Sequence, residues 1–247
     1  MVGVDGSAGS DRALAWAESV VGSHGGVRPV RVEDSLGDRS VAATLLETAD
    51  EIGAEAVVVG HHMVARPQLV GHVTGSLLHD SAIPVVIVPS DWSSDRTDGR
   101  PVAIGVGVSR GTRAALEWVL GHVGLCADGL LLVHAHGLRS VFRPEGWLDA
   151  VAYHLDPTVL SEWIEDDLAD LAQQMRREAG IEVDIAVSVR PGRTGARLVD
   201  AGAGASMLVI GRGEPPFIRS HTIAPYLRHA IVHAPCPVVV VPAAQER

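Results

Sequence analysis

The chain carries two copies of one pattern, and the copies differ in length. GVDGSAGSDRALAWA (3–17) aligns with GVGVSRGTRAALEWV (105–119) at an offset of 102 residues. Gly3, Val4, Ser7, Gly9, Ala13, Leu14 and Trp16 meet identical partners in Gly105, Val106, Ser109, Gly111, Ala115, Leu116 and Trp118. AEAVVVG (54–60) aligns with ASMLVIG (205–211) at an offset of 151, and IPVVIVP (83–89) with CPVVVVP (236–242) at 153. A repeated unit of this kind constrains the fold more than any single motif. The growth in offset from 102 to 151 gives the second copy 49 more residues between its first helix and its late strand. That is about one strand, one loop and one helix.

Each copy alternates short apolar runs with helical patterns. In the second, VAIGVGV, LLLVHAH, VDIAVSV, MLVIG and PVVVVP read as strands. Helices are expected from Thr112 to His122, over 159–180, over TGARLVDAG (194–202) and from Tyr226 to His233. The long helix places Leu160, Trp163, Ile164, Leu168, Leu171 and Met175 on an apolar face, with Glu162, Glu165, Asp166 and Asp170 solvated and Gly180 at its end. Continuous apolar strands alternating with helices imply parallel sheets covered on both faces. The expected fold class is α/β, with two Rossmann-like three-layer domains and two separate parallel sheets. The first copy has one strand, VRPVRV (27–32), where the second has two. The polar, turn-rich WSSDRTDGR (92–100) reads as a linker between a shortened domain (1–91) and a full-length one (101–247).

Composition narrows the function. The formal net charge of −10 opposes binding to nucleic acid or to an anionic membrane surface. The apolar runs are strand-sized, far short of a bilayer span. The start shows no basic-then-apolar leader, and Cys126 and Cys236 form neither a disulfide framework nor a metal spacing. A reduced, cytoplasmic protein is expected.

GVDGS after the first strand, the VVVG and LVIG strands, and the endings IPVVIVP and HAPCPVVVVP occur in the same order twice. This arrangement resembles a tandem universal stress protein, and the resemblance covers nearly the whole chain apart from the linker and residues 136–157. It implies an adenine nucleotide hydrolase-like fold. It also implies an aspartate after strand one and a late loop G-x2-G-x9-G-[S/T] in those members that bind ATP. Glycines let backbone N–H groups approach phosphate, and the last Gly-Ser/Thr opens a helix whose N-terminus favours anions.

On that pattern, the implied nucleotide-binding set lies in the first copy: Val4, Asp5, Gly60, Gly71, His72 and Thr74. Met63 stands where the second loop glycine belongs, His72 at the hydroxyl position, and Gly60 to Gly71 is two residues short. Thr74 is the candidate replacement hydroxyl; the alternative register through Gly75-Ser76 is two residues too long. In the second copy Gly107 replaces the aspartate, Glu214 replaces a glycine, and Ala224-Pro225 replaces Gly-Ser/Thr, although Gly211 remains. Any ATP binding is therefore expected to be weak and confined to the first copy, with no stoichiometric ATP carried by the purified protein.

Other groups of residues also have a blander reading. His61, His62, His72 and His79 lie close in sequence, but no Cys or carboxylate triad accompanies them, and surface histidines are expected rather than a metal site. His134 and His136 mark a strand end. Phe142, Trp147 and Tyr153 fit either a lid or packing over the sheet edge. Gly213 and Arg219 suit an anion or simply a solvated loop. Ser7 or Ser10 reads as a helix N-cap rather than a nucleophile, since no base accompanies it. No catalytic residue is assigned. The expected function is a non-catalytic stress-response or regulatory module, with an adenine nucleotide as its ligand. The apolar end strands VVIV and VVVV are expected to pair, making a pseudo-dimer within the chain, and a further homodimer is allowed. A nucleotide-free interaction scaffold and a nucleotide-hydrolysing enzyme stand as the alternatives.

Overall fold

The computed structural model describes residues 1–21, 26–32, 38–61, 70–94, 99–107, 110–122, 124, 128–136, 157–179, 183–213 and 223–243. In chain order the elements are β1 (Val2–Val4), α1 (Ala8–Val21), β2 (Pro29–Arg31), α2 (Asp38–Glu51), β3 (Val57–Gly60), α3 (His72–Asp80) and β4 (Val85–Val88). There follow β5 (Val102–Gly105), α4 (Arg110–Gly121), β6 (Leu130–His136), α5 (Pro157–Ala179), β7 (Ile185–Pro191), α6 (Thr194–Gly202), β8 (Met207–Arg212), α7 (Pro225–His233) and β9 (Val238–Pro242). The additional unit of the second copy is α5 and β7. Without it, the first copy supplies four of these strands and the second five.

The strands form one nine-stranded sheet in the order β2-β1-β3-β4-β9-β8-β5-β6-β7. Within each set every pairing is parallel. The seam between the sets is antiparallel, with Val85 opposite Val240, Val86 opposite Val239 and Ile87 opposite Val238. The expectation of two separate sheets is corrected here: the end strands do pair, and the pairing fuses the two parallel sets. The reason is chemical. β4 is buried along its whole length and β9 over its four valines. An apolar strand with unpaired backbone groups would be an open edge in either set alone.

Two apolar clusters mark the two faces. Ala13, Trp16, Ala115, Val119, Ala172 and Met175 bring α1, α4 and α5 onto one face, against Val2, Val58, Val102 and Leu132. Leu45, Leu77, Leu198 and Leu227 bring α2, α3, α6 and α7 onto the other, against Val57, Ile87, Leu208 and Val240. Each buried aliphatic side chain contributes roughly 1.5–3 kcal/mol. In α5 the buried stripe is Leu168, Ala172 and Met175. Trp163, expected on that stripe, is 51% exposed. At about 100° per residue it shares the direction of Asp170, not that of Ile164 and Leu168. The segment expected to be a polar linker begins with an anchor, because Trp92 is buried in the first cluster. Gly180, Phe142, Trp147 and Tyr153 lie outside the described residues.

Helix and strand approach most closely at two glycine pairs. A Cβ on Gly60 would stand 2.4 Å from the carbonyl carbon and oxygen of Gly9. A Cβ on Gly211 would stand 1.8 Å from the carbonyl oxygen of Gly111. The two pairs are repeat partners, and each lets the first helix of its set cross the late strand in backbone contact. Gly60→Ala and Gly211→Ala are therefore expected to destabilise the protein by roughly 3 kcal/mol each, since backbone must move. Gly75→Ala, facing open space inside α3, should stabilise by about 0.5–1 kcal/mol. Urea unfolding of the three variants measures this, and equal effects at positions 60 and 75 would contradict the packing account.

Candidate functional site

In an open α/β sheet, ligands sit beyond the strand C-termini where the strand order reverses. The order β2-β1-β3-β4 places that reversal between β1 and β3. In the second set it lies between β5 and β8. Each set thus has one candidate crevice, and the repeat puts equivalent residues in both.

The first crevice is built on a turn. Asp5 follows β1, is exposed, and accepts a hydrogen bond from the Ser7 N–H at 2.9 Å. Gly6 takes φ +80, which allows the chain to turn back toward the helix. Ser7 is the N-cap of α1: its Oγ accepts from the Ser10 N–H at 3.2 Å, and its carbonyl accepts the Asp11 N–H at 3.1 Å. Partial burial pushes the Asp5 carboxyl up, but hydrogen bonds from the Ser7 hydroxyl and N–H outweigh it and hold it below the usual carboxylate range. Ser10 stands close enough to add to this, but its single hydroxyl proton goes to the Ser7 carbonyl at 2.9 Å, so Ser7 is the donor that matters. The result is an ionised carboxylate at the mouth of the crevice.

The other residues of the set divide. Val4, half-buried, uses its carbonyl to accept from the Val32 N–H at 3.0 Å. Gly60 closes β3 against Gly9, so packing alone requires a glycine there. Val4, Asp5 and Gly60 therefore meet at the β1/β3 reversal. Gly71 is the N-cap of α3 and His72 its exposed first residue, with no side-chain cap on the helix. The first intrahelical bond is Gly75 N–H to the Gly71 carbonyl, which leaves the amides of residues 72–74 without helical partners. Thr74 is 7% exposed, so its side chain is largely withdrawn from solvent in the first turn of α3. His62 and Met63 lie outside the described residues.

The second crevice has a different chemistry. Gly107 stands where the first has Asp5, and its N–H is used locally by Thr112 Oγ1 at 2.9 Å. Pro225 is the first residue of α7, so that helix N-terminus offers one donor fewer. Half-buried Tyr226 places its hydroxyl oxygen 3.6 Å from where a Cβ of Gly213 would stand. Burial raises the Tyr226 pKa, and a backbone hydrogen bond from Gly213 opposes this. Glu214 and Arg219 lie outside the described residues. At the end of β6, His134 Nδ1 lies 2.8 Å from the Val106 carbonyl oxygen, and His136 Nε2 lies 2.7 Å from Ser161 Oγ on α5. His136 is buried, and burial, followed by the neighbouring His134, lowers its pKa.

Among the described residues no group of three or more His, Cys, Asp and Glu is arranged to hold a metal ion. Cys236 is free and buried, its thiol pushed up to about 12 by burial, which leaves it unreactive. Two features escaped the sequence reading: the pressing of Gly9 on Gly60, and the reach of Arg212 across to α3. The first had a signal, since Gly9 and Gly111 are identical repeat positions. The second had none.

The model of the Universal stress protein family matches residues 26–89 and 100–242. The chain belongs to the universal stress protein family. Its two matched segments are separated by the stretch that joins β4 to β5. Universal stress protein Rv2319c of Mycobacterium tuberculosis is 25% identical over 210 residues, covering 83% of this chain and 70% of that protein. Universal stress protein Mb2346c of Mycobacterium bovis gives the same figures. Among solved structures, a universal stress protein from Archaeoglobus fulgidus superposes with TM-score 0.56 at 17% identity, over 90% of this chain and 70% of that one. A functionally unknown protein, PA1789, from Pseudomonas aeruginosa gives TM-score 0.57 at 13% identity, over 98% and 81%. Likeness at these identities concerns the fold. Among the described residues no helix of this universal stress protein is long and apolar enough to cross a membrane.

His136 makes stability depend on pH. Its pKa is lowered in the folded chain, so above the unfolded value, near 6.5, both states are neutral there and no penalty arises. As pH falls through that value the unfolded chain gains a proton first, and stability is lost. Urea midpoints should drop between pH 7 and pH 5, and His136→Asn should show a smaller drop. An identical drop in the variant would remove His136 from the explanation.

Proposed function

We propose that this universal stress protein is a non-catalytic regulatory module that binds an adenine nucleotide weakly in its first crevice. The observation that supports this most directly is the asymmetry of the crevices. One pairs an ionised, exposed Asp5 with an uncapped helix N-terminus at Gly71–His72, while the other has Gly107 and Pro225 in their places. Asp5 accepts hydrogen bonds from the nucleoside, and the amides at the start of α3 face the anionic end. Gly60 shapes the floor through its contact with Gly9. Val4 contributes backbone at the strand end. Asp5 is the single carboxylate that this reading assigns to the ligand, which favours binding and signalling over hydrolysis.

The same reading divides the chain into a shortened unit (1–91), a connecting stretch (92–100) and a full-length unit (101–247). The two matched segments support it, as does the seam, which makes the pair a pseudo-dimer within one chain acting in the cytoplasm.

Calorimetric titration of the intact chain with ATP and with AMP tests the proposal. One equivalent is expected to bind, and Asp5→Ala should weaken it by on the order of ten- to a hundredfold, the loss of one hydrogen bond to a buried ligand. Tyr226→Phe, in the other crevice, should leave affinity unchanged. If neither nucleotide binds at millimolar concentration, the scaffold reading replaces this one. ATP turnover abolished by Asp5→Ala would favour the enzyme.

A further inference from the structure

The helix at the first crevice is held from the other set of strands. α3 has nine residues, shorter than an isolated helix can sustain in water. Among the described residues no side chain caps its N-terminus. At its C-terminus the Leu77 carbonyl accepts the Ser81 N–H at 2.9 Å. The next two carbonyls, of Leu78 and of His79, both accept from Nη1 of Arg212, the latter at 3.0 Å. Arg212 is the last residue of β8, more than 130 residues away in sequence. A cation at a helix C-terminus also meets the negative end of the helix dipole.

The base of this arm is fixed. Arg212 follows Gly211, whose backbone is pressed on Gly111 at the start of α4, and a Cβ on Gly111 would stand 2.7 Å from the Arg212 carbonyl oxygen. The guanidinium is partly withdrawn from water. That burial lowers its pKa while Asp80 opposes the change, and an arginine in this setting stays charged. Leu77 and Leu78 anchor one face of α3 in the core. α3 also packs against α2, and the contacts with Arg212 are added to this packing at its C-terminal end.

We propose that Arg212 is a positioning residue for the first crevice: by capping the C-terminus of α3 from β8, it sets where the Gly71–His72 end of that helix stands. The two crevices are then mechanically joined, because the backbone that flanks the second, Gly211 and Arg212, is the mount of the arm that steers the first. Nucleotide binding at Gly71–His72 and the packing of the two strand sets become one linked equilibrium. The part of this that concerns affinity rests on the proposed nucleotide reading; the part that concerns α3 does not.

Hydrogen exchange of the full chain separates the two. In Arg212→Gln, amides of α3 are expected to exchange on the order of tenfold faster, the loss expected when a charged hydrogen bond is removed. Those of α7, which has no such cap from Arg212, should keep the wild-type rate. Arg212→Lys, which retains the cation but not the reach and planar Nη1 donor of arginine, should fall between and guards against a variant that does not fold. The same variants titrated with AMP should lose affinity in the same order, although Arg212 is not part of the first crevice. Unchanged α3 exchange, or equal acceleration of α3 and α7, would overturn the proposal. Altered α3 exchange in a chain that binds no nucleotide would uphold it and defeat the nucleotide reading instead.

Discussion

Three residue pairs across an antiparallel seam hold the architecture together: Val85 with Val240, Val86 with Val239, Ile87 with Val238. β4 and β9 are each covered by helices on both faces, so neither has a polar side to turn outward. Once joined edge to edge they turn two parallel sets into one sheet and place α1 beside α4 on a common face. Everything that passes between the halves depends on this junction. Trp92 tucks into the shared core, and Arg212 reaches α3. Had the strands been amphipathic, each half would be self-sufficient and neither contact would exist.

Much of this was legible in the residues. The unequal offsets pointed to the additional unit, since 49 residues is about the length of one more strand, loop and helix. VVVG, LLLVHAH and TGARLVDAG fell where expected, because their apolar runs and flanking glycines agree with the tertiary packing. What could not be read is relational. Two valine-rich ends say that both want a partner; they do not say that the partner is each other in one sheet rather than separate sheets facing one another. Trp163 was misplaced because a helix stripe drifts, and an aromatic near its margin is assigned by one residue's rotation.

The candidate site was legible in outline and less so in cause. Asp5, Gly60 and Gly71 follow or close strands β1 and β3 and open helix α3. But Gly60 is explained by Gly9, a contact between backbones that no pattern of side chains announces. Thr74 shows the reverse difficulty. A hydroxyl at the right sequence distance says nothing about how deeply its helix buries it, and Thr74, the third residue after the N-cap, is largely buried here. Glycine motifs in such folds carry two meanings, close packing and ligand approach, and only geometry tells them apart.

The seam also has a consequence in time. Its two strands are separated by about 150 residues of chain. At a synthesis rate of about 5–20 residues per second, β4 waits on the order of ten to thirty seconds before β9 emerges. For that interval an all-apolar strand has one hydrogen-bonding edge open in a crowded ribosomal vicinity, where any similar strand will serve. Two ribosomes on one message offer such a strand at high local concentration. The partner most available to a nascent β4 is thus the β4 of a neighbouring chain, and the duplication that secures the finished molecule exposes its own synthesis to mispairing.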